Sequence, residues 1–360
     1  MSRTPHVFAL ILALAFVSQS LPAQSSPLPD ISTAAQAAYK QGLEAESHQQ
    51  LDIALERFQA SLKQAGSCLD CIESIARVQY EMGDHKAALA TTGQMVRVVA
   101  TAKSNARAKA LAGRIYLDEY FAYTVGEGAF EKSASRAQDA LKRAEAALGE
   151  ATHADPANEP LLLLHAHLLA VLKRDAQAQS EFVACAAIAG TSPGECERAL
   201  RFSKNIDAAR NEPAPAFEAT TVDGQKVSLD SLAGKVVLID FWGTWCPVCV
   251  RDSGYVQSML ASFPTERFVL LEVDSGDSEA HLVNYIKEHR LKGVQTRDEN
   301  SKMGDSFRVS AYPTYVILDG NGSIRFRARG DTGDLRGEVR KLLAENGSAV
   351  ASAASSAPLP

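Results

Sequence analysis

A chain of 360 residues, 46% hydrophobic and 22% charged, has the length of two domains and too much apolar bulk to stay disordered. A net charge of -6, with no run of five Lys or Arg, excludes a nucleic-acid partner held through its phosphates. Six cysteines include two C-x-x-C pairs, Cys68/Cys71 and Cys246/Cys249, which points to thiol chemistry.

The N-terminus carries Arg3, an apolar stretch from Val7 to Val17 and a small, polar segment from Ser18 to Ser26. This is the layout of an export signal over residues 1–23, with cleavage expected after Ala23. The apolar stretch is too short to span a bilayer, which takes about 20 residues; left uncleaved, the signal would serve as a tether. No cysteine precedes Cys68, so a lipid-modified N-terminal cysteine is excluded. Export, most simply to a periplasm, places the thiols where disulfides persist and where a reducing dithiol needs an electron source.

Residues 31–209 are Ala-rich and self-similar at an offset of 34. Gly42, Ala54 and Phe58 are followed at that offset by Ala76, Ala88 and Thr92, with Gly83 and His85 at a turn between helices; Ala144 and Leu148 are matched by Ala178 and Phe182. Small residues at these positions let paired helices approach closely. Lys173 stands where a turn glycine is expected, and Asp155-Pro156 ends a unit. The two phased pairs are out of step, which an altered inter-helix segment around Tyr120 to Ser135, with Gly126 and Gly128, explains. Ser192 to Ala209 reads as a terminal capping helix. The pattern resembles the tetratricopeptide repeat, which implies an all-α solenoid whose groove holds a protein partner.

Cys68 and Cys71 straddle a repeat boundary. They are open to three readings: a local disulfide tying a loop to a helix start, two small buried thiols, or a second active site. Cys185 and Cys196 flank the loop 186–195 and read as a structural disulfide, or Cys185 as a thiol at a packed position.

Asn211-Glu212-Pro213-Ala214-Pro215 reads as a linker opening a second domain over residues 210–346. Val236 to Trp242, Phe268 to Val273, Thr314 to Leu318 and Ser323 to Ala328 are expected strands. Val250 to Phe263, Ser278 to His289 and Asp334 to Glu345 are expected helices. Asp223-Gly224 and Asp319-Gly320-Asn321-Gly322 signal hairpins. The alternation implies an α/β domain with a mixed central sheet flanked by helices. Residues 347–360, mostly Ala, Ser and Pro, form a tail too poor in apolar bulk to fold.

Trp245-Cys246-Pro247-Val248-Cys249 follows the first of these strands. Cys246 would sit at a helix N-terminus, where unpaired backbone N–H groups and the macrodipole favour the thiolate. Pro247 suits the first helical turn, and Cys249 lies one turn on. Structural zinc needs four ligands; neither pair has a nearby His pair, and His165 and His167 face different sides of a helix, so no metal or other cofactor is expected. Haem attachment is excluded, because Ile72 and Val250 stand where histidine would be required.

Residues 214–346 resemble the thioredoxin-fold domains of the TlpA and ResA type, exported membrane-side thiol-disulfide oxidoreductases. The resemblance rests on Ala214-Pro215-Ala216-Phe217, Gly234-Lys235-Val236-Val237-Leu238, Phe241-Trp242-Gly243-Thr244-Trp245-Cys246 and Ala311-Tyr312-Pro313-Thr314. It implies that Cys246 attacks a substrate disulfide and Cys249 resolves the mixed disulfide. Pro313 would be the cis-proline lining the substrate groove beside Tyr312, with Trp245 shielding the cysteines. Asp240 matches the buried acid of thioredoxins that accepts the proton of the resolving cysteine, and otherwise reads as a strand-end acid bonded to turn amides. Asp252 matches a ResA-like acid, or else complements the helix dipole as a first-turn acid. Gly254 replaces the family's kinking proline.

The expected function is an exported reductase of disulfide-containing protein substrates, supplied by a membrane-side thiol electron donor. The alternatives are a repeat-based interaction scaffold and a thiol peroxidase. Against the last, no proline closely precedes Cys246.

Overall fold

The computed structural model describes residues 31–98, 102–125, 131–188 and 193–355. The expected export signal lies outside them. Two compact units divide between Thr191 and Ser192.

The first unit is helical: α1 (Thr33–Ser47), α2 (Leu51–Ala65), α3 (Leu69–Glu81), α4 (His85–Val98), α5 (Ala102–Val125), α6 (Ala134–Ala154), α7 (Glu159–Val171) and α8 (Asp175–Ala186). Side-chain oxygens of Ser32, Ser133 and Asn158 accept N–H groups that would otherwise go unpaired at the starts of α1, α6 and α7. Short turns bring consecutive helices side by side. Positions related by 34 are buried throughout: Ala54 and Ala88, Phe58 and Thr92, Ala144 and Ala178, Leu148 and Phe182. Gly42 is small because a Cβ there would meet the Phe58 ring at 2.6 Å. Gly83 and Lys173 both take positive φ, 81° and 59°, so the lysine occupies the conformation that the glycine favours. The phase break is carried by length: α5 and α6 run 24 and 21 residues, against 12 to 15 in the other helices of this unit.

The second unit is an α/β domain with the expected mixed sheet. It begins earlier than the linker suggested: α9 (Pro193–Lys204), expected to cap the repeats, groups with this unit. Ala199 and Phe202 are buried, Arg198 donates to the Ala214 carbonyl at 2.7 Å, and Ser323 donates to the Ala208 carbonyl at 3.2 Å. The prolines of the linker do not keep it out of the sheet. Glu212–Pro213 forms an edge strand β1, where a residue without an N–H is tolerated.

A hairpin of β2 (Glu218–Thr220) and β3 (Lys226–Ser228) is followed by β4 (Val236–Trp242), α10 (Pro247–Ser258), β5 (Phe268–Asp274), α11 (Glu279–His289), β6 (Val294–Arg297) and α12 (Lys302–Ser306). The chain then forms β7 (Thr314–Leu318), β8 (Ser323–Arg329) and α13 (Leu335–Ser355). The six-stranded sheet runs β1-β8-β7-β4-β5-β6. β4 pairs parallel with β5 and antiparallel with β7, so it is central and buried along its whole length. Alternation divides its side chains: Val237, Ile239 and Phe241 enter one core, and Val236 and Leu238 enter the other with Val256 of α10 and Leu335 of α13.

Two ends differ from expectation. α10 stops at Ser258, well before Phe263. α13 continues through the presumed unstructured tail to Ser355, consistent with alanine being the strongest helix former; residues 356–360 lie outside the described residues.

Candidate active site

β4 delivers the chain into a loop that turns directly into α10, and Cys246 is the N-cap of that helix. Its Sγ accepts the backbone N–H of Cys249 at 3.2 Å, and the two cysteines form a disulfide. Both are buried, and they pack with Trp242, Leu282 and the partly buried Val248, Tyr285 and Tyr312. The peptide between Tyr312 and Pro313 is cis.

Three contacts hold the loop before Cys246. The Cys246 N–H donates to the Gly243 carbonyl at 3.1 Å. Thr244 donates to Asp277 twice, from its amide to Oδ2 at 2.8 Å and from its hydroxyl to Oδ1 at 2.7 Å. The Trp245 indole N–H donates to the Ser275 carbonyl at 2.7 Å. Ser275 also accepts the Tyr312 hydroxyl on its Oγ at 2.8 Å, and the Trp245 and Tyr312 rings meet edge to face with centroids 5.3 Å apart. Trp245 is 54% exposed, so it presents an aromatic face beside the disulfide rather than sealing it. Gly243 is required there, since a Cβ would come within 2.4 Å of the indole nitrogen.

Asp240 lies on β4 two residues before Trp242 and therefore on the same face as the ring that packs on both cysteines. Its carboxyl is buried and Oδ1 has no hydrogen-bond partner, so this oxygen is not tied to turn amides. Burial, and then the charges of Glu272 and Asp252, push it well above the ordinary carboxylate range. Asp252 sits one turn beyond Cys249, half-buried and ion-paired with Arg251 at 2.7 Å.

Sequence reasoning missed two groups. Glu272 is the in-register neighbour of Asp240 on β5; it accepts from Gln257 of α10 at 2.7 Å and from Gln295 of β6, and burial pushes it up to about 8. An acid inside the apolar run Phe268-Val269-Leu270-Leu271 to Val273 was the available signal. The second group is Asp274 with Asp277, where the loop after β5 clamps the loop after β4. Burial raises Asp274 to about 8; burial also pushes Asp277 up, but hydrogen bonds from Asp274 and Thr244 outweigh it and leave Asp277 low.

Among the other predicted residues, Cys68 and Cys71 form a disulfide in the helical unit. Cys185 is buried on α8, with Sγ 3.9 Å from the Glu159 carbonyl, while the side chain of Cys196 lies outside the described residues. No group of three or more His, Cys, Asp or Glu that could hold a metal occurs among the described residues.

Residues 211–327 match the AhpC/TSA family. The second unit carries an AhpC/TSA thioredoxin-fold domain. Through this domain the chain is similar to a thiol-disulfide oxidoreductase ResA of Bacillus cereus, 29% identical over 111 residues, which are 31% of this chain and 64% of the relative. ResA of Bacillus subtilis is 25% identical over 123 residues, 34% of this chain and 69% of the relative. A solved thiol:disulfide interchange protein from Chlorobium tepidum aligns with 36% of this chain and 95% of its own at 22% identity and a TM-score of 0.34. The chain thus spans slightly less than two thirds of the first of these relatives, and the thioredoxin-fold domain accounts for the likeness.

Proposed function

We propose that this chain is an exported, periplasmic thiol-disulfide oxidoreductase that reduces protein disulfides through Cys246 and Cys249, with the helical repeats binding a protein partner. The observation that carries the reading is the Cys246–Cys249 disulfide capping α10 beside a strand that holds the buried, unpartnered carboxyl oxygen of Asp240. In the reduced form the Cys246 thiolate is favoured by the α10 N–H groups, and it attacks a substrate sulfur to form a mixed disulfide. Asp240 accepts the Cys249 proton; Cys249 then attacks Cys246 Sγ, closing the observed disulfide and releasing reduced substrate. Trp245 and Tyr312, both anchored on Ser275, with the adjoining Pro313, form the wall against which substrate backbone lies.

The sequence pattern of residues 1–23, and the resemblance of residues 214–346 to exported TlpA- and ResA-type domains, support export. No helix among the described residues is long and apolar enough to cross a membrane. A membrane-side thiol donor would return electrons to the Cys246–Cys249 disulfide. The 34-residue phase of buried small and aromatic positions supports a tetratricopeptide-like solenoid in the first unit.

Insulin-disulfide reduction by the purified protein, beside Cys246→Ala, tests the reading. Turnover that disappears in the variant is expected. Equal rates in both proteins, or peroxide consumption that depends on Cys246 in place of insulin reduction, would sink it.

A further inference from the structure

The second C-x-x-C pair repeats the local geometry of the first. Cys68 is the N-cap of α3, in extended backbone at φ -135° and ψ 104°, and Cys246 caps α10 at φ -95° and ψ 106°. Cys68 Sγ accepts the Cys71 N–H at 3.1 Å, against 3.2 Å at the other site, and the Cα atoms are 5.2 and 5.3 Å apart. The leading cysteines are similarly buried, with Cys68 5% and Cys246 4% exposed. A disulfide closing so short a loop restricts the unfolded chain least, so stapling is a weak reason for it.

Two further features favour the reduced pair. Ser61, fully buried on α2, donates its single hydroxyl proton to the Ala35 carbonyl at 2.8 Å while its Oγ lies 3.3 Å from Cys71 Sγ. With that proton committed, the oxygen can only accept toward Cys71, and a disulfide sulfur has nothing to give. A Cys71 thiol does. The acids nearest the helix start, Asp70 and Glu73, are both paired with Arg107, the former at 2.6 Å, so their charges do not stand unopposed against a Cys68 thiolate.

We propose that Cys68 and Cys71 are a second redox-active pair, exchanging with a dithiol donor independently of Cys246 and Cys249. A thiolate of the donor attacks Cys68 Sγ, forming a mixed disulfide and breaking the Cys68–Cys71 bond. Cys71 leaves, takes up a proton and donates it in a hydrogen bond to Ser61 Oγ. The donor's second thiolate attacks its own bridged sulfur, the donor departs as a disulfide, and Cys68 is released as a thiolate capping α3. Two electrons pass from donor to pair; of the two protons the donor thiols shed, one is taken up by Cys71 and the other goes to solvent, leaving Cys68 as the thiolate. Among the described residues the site has no counterpart of the exposed Trp245 and the cis-proline, so the partner is a dithiol that reaches Cys68 rather than an extended peptide.

The test uses the full chain in buffers of graded reduced to oxidised dithiothreitol. Thiols are trapped by alkylation, and the tryptic peptides 64–77 and 236–251 report the two pairs in one sample. Both pairs are expected to reach half-reduction while the helical circular dichroism stays constant. A Cys68–Cys71 disulfide that persists at ratios about 100-fold beyond those reducing Cys246–Cys249, or that yields only as helix is lost, would overturn the proposal. Ser61→Ala should require about fivefold more reductant for the Cys68–Cys71 pair and leave the other unmoved, because the Cys71 thiol loses its acceptor. An unmoved Cys68–Cys71 pair would show that the site is not built for the thiol, and would also overturn it.

Discussion

The two C-x-x-C helix starts share a cap and differ in what lies around them. At Cys246 a central strand runs into the helix and carries a buried acid on the face that bears Trp242, while the loop after β5 pins the approach through Asp277 and Ser275. At Cys68 the preceding element is another helix, and the buried polar group in contact with Cys71 is the hydroxyl of Ser61, which can accept from a thiol but cannot hold a proton as a carboxyl does. The lesson is that a helix N-terminus gives a sulfur its charge, whereas the element before the helix decides whether a proton can be moved and a substrate held.

Substitutions at each layer separate these contributions. The largest effect is expected for Cys246→Ala, which removes the attacking sulfur and abolishes insulin reduction; Cys68→Ala should leave that rate within about twofold, since only the Cys246 site has a peptide wall. Asp240→Asn should slow resolution of the mixed disulfide by about 100-fold near neutral pH and flatten its pH profile, measured as single-turnover kinetics, while the Cys68–Cys71 equilibrium stays put. Asp277→Asn weakens the clamp on Thr244 and should lower insulin reduction by about fivefold. Glu272→Gln acts through stability. Glu272 is raised in the fold to about 8, so it is protonated there while the unfolded chain titrates at the ordinary 4.5. Stability is therefore full below 4.5 and declines as pH rises through about 8. Glutamine should remove that decline, seen as a melting temperature less sensitive to pH across this window, and should lower the apparent pKa of Asp240 by removing the neighbouring charge.

Much of the sheet was legible because its strands are short apolar runs ended by turn residues: Val236–Trp242 and Thr314–Leu318 have the bounds that the sequence suggests. Less legible were features set by tertiary partners. The edge strand at Glu212–Pro213 exists because β8 offers it a partner, and α9 groups with the second unit, where Arg198 donates to the Ala214 carbonyl. β6 and α12 escaped notice because Val294-Gln295-Thr296-Arg297 and Lys302–Ser306 are too short and polar to carry a period. Around the cysteines, the motif exposed the thiols, Asp240 and Pro313, but the clamp of Asp277 on Thr244 joins residues 33 apart with no local pattern.

The placement of Trp242 and Trp245 gives the molecule an optical asymmetry. They are the chain's two tryptophans; one packs against the Cys246–Cys249 disulfide and the other adjoins Cys246. A disulfide quenches nearby indole emission, so the intrinsic tryptophan fluorescence of the unlabelled protein reports the oxidation state of the Cys246–Cys249 pair.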